Sequence, residues 1–374
     1  MVPRLFAPIF SNEGGGFFVI GKFCLFFLRV INTGWYRGDF RPCCIGVLPC
    51  GRGGFLSFFG FFQVLSEVWA KKYFSRRGKV IVFFQQLVNG LTLGSAYAVI
   101  AIGYTLVFGV LNIVNMAHGG IFMIGAYIGL LLVTEAGMNI FPALAGAMIG
   151  GAVLGYGLEL LALRPLRKHK ATHLAPLIST IGVSTFLESV ALMVWGPQTR
   201  SFPSAFGNEL MDMGVFKISG IQIISLGTAV VLMVLLTVML NRTKVGKAIR
   251  ATSENAETAG LLGINTGRII TLTVMLASAL GAAAGVLIGL SFNAIEPTMG
   301  TSMGLKGLAV LIMGGLGNVE GAMAGGFILG IAEVFSVAYG TSSYRDAVAF
   351  GLIILILFIR PEGLFAKAGK GGRP

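Results

Sequence analysis

Long apolar segments alternate with short loops from residue 80 to residue 365 of this chain. Runs of about 20 mostly uncharged residues match the ~30 Å hydrocarbon core of a bilayer, because a helix rises about 1.5 Å per residue. We place these segments at residues 81–110, 119–134, 139–161, 174–195, 221–240, 269–291, 306–338 and 347–359. The pattern predicts an all-α polytopic membrane protein with about eight to nine transmembrane helices. Its function is therefore sought in transport or membrane signalling.

The positive charge of the membrane region lies in loops on one side. The chain has a formal net charge of +13, but residues 1–80 hold 11 Lys or Arg against 3 acids and contribute +8 of it. Most of the other basic residues fall at residues 164–170, 242–268 and 360–373. By the positive-inside rule these regions, and hence the C-terminus, are cytoplasmic in a multi-pass protein of the bacterial inner (plasma) membrane, in contact with lipid. No aromatic-interleaved basic stripe accompanies them, so a nucleic-acid partner is not expected.

Residues 1–79 differ from the rest of the chain. They are rich in Phe, Gly and Arg, and charges interrupt every apolar run. They show neither a signal-peptide core nor a small-residue cleavage site. Two alternatives stay open: translation begins near Val80 and the extension is not native, or residues 54–70 form an additional anchor. We therefore predict an N-terminal extension of doubtful structure, a membrane domain of residues 80–366 and a cytoplasmic tail of residues 367–374.

Several classes of protein chemistry have no signature in this sequence. All four cysteines lie within the first 50 residues, so we expect no disulfide and no metal site in the membrane domain. No recognisable set of nucleophile, base and metal ligands indicates an enzyme. The chain also has no GxxxxGK[ST] phosphate loop, so any ATP chemistry must come from a separate subunit, and no cofactor is expected on this chain.

Two apolar segments are interrupted by glycine and asparagine. Residues 306–338 are too long for one straight span, and Gly314 to Gly321 contain helix-breaking residues, so we predict a half-helix followed by a full span. The first segment runs into a comparable break at residues 112–120. The sequences Asn115–Gly129 and Asn318–Gly330 resemble each other. These broken helices suggest an internal repeat.

Non-helical backbone at membrane depth is tolerated only where protein or a water-filled cavity satisfies it. The two breaks therefore suggest a translocation pathway that includes Asn115, His118, Gly119 and Asn318. The simpler alternative is that Asn115 and Asn318 cap helices, and that His118 is a satisfied loop histidine.

Charged residues within spans are functional candidates, because each costs a few kcal/mol in lipid without a partner. Three carboxylates meet this description: Glu159, Glu188 and Glu333. Glu159 is close enough in sequence to pair with Arg164 or Arg167. Glu188 lies deepest and has no obvious neighbour, so we add it to the predicted pathway. We expect Lys306 at the external mouth.

Small residues repeat every four positions in the segment at residues 269–291. Gly281, Gly285 and Gly289 lie on one helix face, which favours close packing against another helix.

We predict a short helix in the second half of the longest cytoplasmic loop, residues 241–268. Ser253 caps its start, Glu254 and Glu257 favour the positive helix N-terminus, and Gly263 suits the left-handed position after the last turn. The small face of this helix, which suits a groove on another protein, consists of Ala256, Ala259 and Gly260. An ordinary connector is the alternative.

Several longer motifs together resemble one family, the branched-chain amino acid permeases of ATP-binding-cassette (ABC) importers, in particular the LivH branch. The motifs are QQLVNGLTLGSAYA (85–98), GYTLVFGVLNIVNMAHGG (103–120), RPLR (164–167), RATSENAETAGLLGIN (250–265), GLKGLAVLIMGGLGNVEGAMAGGFILGIAE (304–333) and RPEGLF (360–365). The resemblance covers residues 80–365 and does not extend to residues 1–79. The sequence departs from the family at Met116, often Phe, and at Gly120, often an acid.

The resemblance implies a heteromeric importer. Two permease subunits form the pore, two separate ATPase subunits use ATP, and a periplasmic binding protein delivers the substrate. In this chain the family's ATPase-coupling helix corresponds to Ser253, Glu254, Glu257, Ala259, Gly260 and Gly263. Leucine, isoleucine and valine are the expected substrates, and urea or short amides are the alternative. The competing class is an ion-coupled amino acid carrier that depends on Glu188.

Overall fold

The computed structural model describes residues 56–169, 174–203, 210–212, 217–340, 342, 345–361 and 363–365. Contacts divide the chain into a unit of residues 1–69 and a unit of residues 70–374. Within the first unit, residues 56–69 are helical. Most of the predicted N-terminal extension and all of the predicted tail lie outside the described residues. The following description concerns the second unit.

Twelve α-helices and one short hairpin make up the described part of the chain. The helices are α1 (Leu56–Leu111), α2 (Ala117–Thr134), α3 (Ile140–Leu158), α4 (Arg164–Lys168), α5 (Leu174–Trp195), α6 (Gly220–Arg242), α7 (Lys244–Glu254), α8 (Ala256–Leu261), α9 (Thr266–Phe292), α10 (Met299–Gly314), α11 (Val319–Tyr339) and α12 (Arg345–Ile359). A π-helical turn, Glu159–Leu163, joins α3 to α4. Strands β1 (Leu210–Asp212) and β2 (Lys217–Ser219) pair antiparallel, with Leu210 opposite Ser219.

The prediction of an all-α polytopic membrane protein is confirmed. Seven helices in the described residues are long and apolar enough to cross a bilayer, and α10 is a shorter apolar helix. The predicted interruption of residues 306–338 is present, because α10 ends at Gly314 and α11 begins at Val319. Apart from α1, which begins at Leu56 rather than near residue 81, the described helices match the predicted spans closely, since hydropathy and length determine both.

Small residues hold the central helices together. Helix α9 runs antiparallel to α3, with Gly155 against Ser278, and parallel to α2, with Gly125 against Ala282. A Cβ atom at Gly285 would overlap the carbonyl oxygen of Phe122 in α2. In a bilayer, where apolar contact alone drives little association, such close backbone approach supplies packing energy. Residues 81–111 of α1 and helices α2 and α9 are mostly buried, whereas most residues of α5 and α6 are at least partly exposed.

The two ends of the bundle differ in charge. What we call the basic end carries α4, α7, α8 and the segment after α12. Helix α8 contacts the start of α9, and α4 lies nearby because α3 and α9 are antiparallel. The backbone N–H of Leu364, after α12, donates to the carbonyl of Met313 at 2.9 Å, which places this segment beside the end of α10. What we call the far end carries the β-hairpin and the start of α3.

Candidate functional site

The break between α1 and α2 lies inside the bundle. His118, in the first turn of α2, contacts Gly281 in the middle of α9, so α2 begins at mid-depth. Asn115 is buried, and its Oδ1 accepts a hydrogen bond from Ala117 N at 3.1 Å. The backbone N–H of Met116 donates to Thr180 Oγ1 of α5 at 3.2 Å. Side chains thus satisfy backbone groups that the helix start leaves free.

His118 is fully buried and lies in a helix rather than a loop. Two glycines make room for its ring: a Cβ at Gly103 or Gly281 would approach it to 2.6 or 2.8 Å. The ring of Tyr104 contacts it edge-on, with centroids 4.5 Å apart. The imidazole therefore fills a close-fitting space between α1, α2 and α9.

Gly119 faces α10 instead. A Cβ at Gly300 of α10 would lie 2.8 Å from the carbonyl oxygen of Gly119, so this pair of glycines allows the two helix backbones to touch.

Asn318 lies at the basic end, away from the break that Asn115 caps. Its Oδ1 accepts from the backbone N–H groups of Glu320 and Gly321, at 3.1 and 3.3 Å, and so begins α11. Its Nδ2 donates to the carbonyl of Phe365 at 2.7 Å. The two asparagines cap helices at different depths, and the structure does not bring them together.

Glu188 has a different environment. It is half-buried on the outer surface of α5, and Thr301 Oγ1 donates to its Oε2 at 3.0 Å. It lies about 10 Å, or seven residues, from the end of α5 at Trp195. A carboxylate at this depth is costly against lipid. This face of the chain therefore requires water or another protein beside it.

Four charged side chains of α10, α11 and α12 form a network that the sequence did not reveal. Lys306 Nζ lies 3.0 Å from Glu333 Oε1 and 2.7 Å from Asp346 Oδ1. Arg345 Nε also donates to Glu333 Oε1. Lys306 is only 4% exposed and lies inside this network; its place at the external mouth stays a prediction. Its counter-charges come from helices 27 and 40 residues further along the chain, which sequence proximity cannot indicate.

The expected pairing of Glu159 is confirmed with one of its two candidates. Arg167 Nη2 donates to Glu159 Oε1 at 2.7 Å across the π-helical turn.

The loop at the basic end forms two helices, and the start of the second differs from the prediction. Helix α7 continues through Ser253 and Glu254, where the Ser253 hydroxyl donates to Arg250 O. Asn255 caps α8 instead, because its Oδ1 accepts from the N–H groups of Glu257 and Thr258. An Asn at this position satisfies two amide groups that Ser253, two residues earlier, does not reach.

The end of α8 is exposed and apolar. Gly263 has a φ of +86°, so its predicted left-handed conformation is confirmed. Ala259 is only 2% exposed and faces its own chain, so it does not belong to the outward face assumed from the sequence. Leu261 and Leu262 are 89% and 77% exposed, and no sequence pattern had singled them out. Large apolar side chains exposed together are typical of a contact with another protein.

Comparison with known proteins gives the family. Residues 86–357 match the family model described as branched-chain amino acid transport system, permease component. The chain belongs to this permease family. It is 40% identical over 299 residues to the high-affinity branched-chain amino acid transport system permease protein BraD of Pseudomonas aeruginosa, which covers 76% of this chain and 96% of BraD.

Two further relatives support this membership. The permease is 37% identical to LivH of Escherichia coli K12, over 77% of this chain and 96% of LivH. It is 29% identical to a probable LivH of Methanocaldococcus jannaschii, over 74% of this chain and 91% of that protein. The resemblance inferred from the motifs is confirmed, and all the predicted site residues lie within the matched part of this permease.

Proposed function

We propose that this permease is one pore-forming subunit of an ABC importer for branched-chain amino acids, with leucine, isoleucine and valine as substrates. The observation that carries the proposal is its similarity, over nearly their whole lengths, to permeases named for high-affinity transport of these amino acids. The other components are a second permease subunit, two ATPase subunits that use ATP, and a periplasmic binding protein. No cofactor belongs to this chain.

The surface that carries Glu188 and Thr301 faces the second permease subunit and the translocation pathway between them. The support is energetic: a partner subunit or water along this face removes the cost of exposing the carboxylate to lipid. Asn115, His118 and Asn318 act indirectly in this proposal. They hold the ends of the broken helices that border the pathway.

The basic end is cytoplasmic, and with it the C-terminus, because Lys and Arg concentrate in the cytoplasmic loops of membrane proteins. The segment from Ser253 to Gly263 then lies where an ATPase subunit binds. Leu261 and Leu262 supply the apolar contact, and the exposed Glu257 and Gly260 lie beside them. ATP-driven movement of the partner reaches the membrane helices through α8, which contacts α9.

Reconstituted transport tests this proposal. The full complex is placed in liposomes with its binding protein, and uptake of labelled leucine and urea is measured with internal ATP or with a sodium or proton gradient. We expect leucine uptake that requires both ATP and the binding protein. Uptake driven by an ion gradient without ATP, or transport of urea but not leucine, would refute the proposal.

A paired substitution tests the pathway. Glu188→Gln should lower the uptake rate several-fold, because it removes a charge from the proposed path. Glu296→Gln is the matched control, since Glu296 accepts a similar 3.0 Å hydrogen bond from Thr199 in an exposed connection outside the spans. Equal rates in the two variants would remove Glu188 from the path.

A further inference from the structure

A second candidate binding site lies within this single chain, at the far end of the bundle. A cavity of about 530 Å³ opens between α1, α6, α9 and α11, and the first residue of α12 contributes to its wall. This volume falls in the range of small-molecule sites, about 300–1,000 Å³. Much of its wall is apolar, with Leu93, Val133, Ile140 and Ile221 among the lining residues. An aliphatic group of moderate size therefore fits it.

The cation that lines the cavity, Arg345, has N–H groups that are free to bind a ligand. Arg345 is 29% exposed, and its guanidinium lies 4.5 Å from the ring centroid of Phe292. Its Nε donates to Glu333, and its two terminal nitrogens make no hydrogen bond to the described residues. These nitrogens form the planar fork that matches a carboxylate or a phosphate.

Amide side chains of α1 and α6 also line the cavity. Gln222 Nε2 donates to Asn89 Oδ1 at 2.9 Å, and Asn89 Nδ2 donates to Gln86 Oε1 at 3.3 Å, so the three amides of α1 and α6 hold one another in place. A side-chain amide oxygen has two lone pairs, so Gln86 Oε1 can accept again. An ammonium group is a suitable donor for it.

The charge balance of the network selects the ligand class. Lys306 and Arg345 are balanced by Glu333 and Asp346, so this group of side chains has no net charge. A purely anionic or cationic ligand would leave an unbalanced charge in a largely apolar cavity, which is unfavourable. A zwitterion brings both charges and leaves the balance unchanged.

We propose that this cavity binds a zwitterion with an aliphatic portion, its anionic group on Arg345 and its ammonium on the amides of α1 and α6. Two sources offer this chemistry: a free aliphatic amino acid, or the head group of phosphatidylethanolamine. The use of leucine as the first probe rests on the proposed function. The site itself is separate from the pathway face at Glu188.

Equilibrium binding distinguishes the two sources. The full-length chain is purified in mild detergent with the subunits that copurify with it and without binding protein. Binding of labelled leucine is measured by dialysis, and retained phosphatidylethanolamine is quantified by mass spectrometry. Arg345→Gln should weaken binding at least about tenfold, the usual effect of losing a charge-assisted hydrogen bond. Arg200→Gln, the same change at the far end but outside the cavity, should leave it unchanged.

A second variant controls for the possibility that Arg345→Gln abolishes binding by misfolding the protein. Ala338, an exposed cavity residue, is replaced by Trp to fill the space while all charges remain. Leucine binding that is lost in both cavity variants supports the amino acid as ligand. One retained phosphatidylethanolamine per chain, lost in the same variants and without leucine binding, supports the head group. If neither ligand depends on Arg345 and Ala338, the proposal is overturned. ATP-driven uptake by the wild-type complex, measured in parallel, shows separately whether the proposed importer function holds.

Discussion

Replacing Gly281 with alanine should destabilise the permease through a clash with His118. The added Cβ would lie 2.8 Å from His118 Cε1, and the ring has to retreat by 0.6 Å to reach an ordinary 3.4 Å contact. Its movement is restricted, because the ring is fully buried and packs edge-on against Tyr104, with centroids 4.5 Å apart. Overpacking of this kind costs about 1–3 kcal/mol. The higher helix propensity of alanine offsets at most about 1 kcal/mol of this destabilisation.

We therefore expect Gly281→Ala to lower the free energy of unfolding by about 1–2 kcal/mol. Gly157→Ala in α3 is the matched control, since nothing lies within 4 Å of its added Cβ, and it should be neutral or stabilising. Thermal unfolding of the purified complex in detergent, followed by circular dichroism, measures both. In a His118→Ala background the cost of Gly281→Ala should disappear, giving a coupling energy of about 1–2 kcal/mol. An unchanged cost in that background would refute the reasoning.

Two further predictions concern other parts of the structure. Replacing both Leu261 and Leu262 with Ala should reduce substrate-stimulated ATP hydrolysis several-fold. The protein should still fold, because both side chains are exposed. Val245→Ala, at a less exposed site on α7, is the control, and equal ATPase activities of the two variants would argue against the apolar contact. Lys306→Met should destabilise the protein by about 3 kcal/mol, because it removes a partner from a buried pair. Asp346→Asn should cost less than about 1 kcal/mol, since Asp346 is 65% exposed, and similar unfolding temperatures for these two variants would contradict the assigned network.

The sequence predicted the spans well because hydropathy and helix length are local properties. It also located the break between α10 and α11, where Gly and Asn end helices whatever their surroundings. It did not reveal the ion pairs of Lys306, since the carboxylates that neutralise it belong to other helices. The predicted start of α8 differed from the observed one because both Ser253 and Asn255 are good N-cap residues. Only the folded backbone shows which of the two reaches free amide groups.

The candidate site was harder to predict than the fold. Sequence alone does not show that Ala259 points inward and Leu261 outward, since this depends on how α8 rests on the bundle. The cavity at Arg345 depends on the joint placement of seven helices, so no local pattern indicates it. Glu188 was identified because a charge in an apolar segment is conspicuous in any sequence, but its outward position required the structure.

The central claim is that this permease works as part of an importer with separate ATPase subunits. Affinity purification of the full chain from native membranes in mild detergent, with the copurifying proteins identified by mass spectrometry, tests it most directly. We expect two ABC ATPase subunits and a second permease in stoichiometric amounts. When Leu261 and Leu262 are replaced by Asp, the ATPase subunits should no longer copurify, whereas the second permease should. Reproducible recovery of the folded chain alone would contradict it.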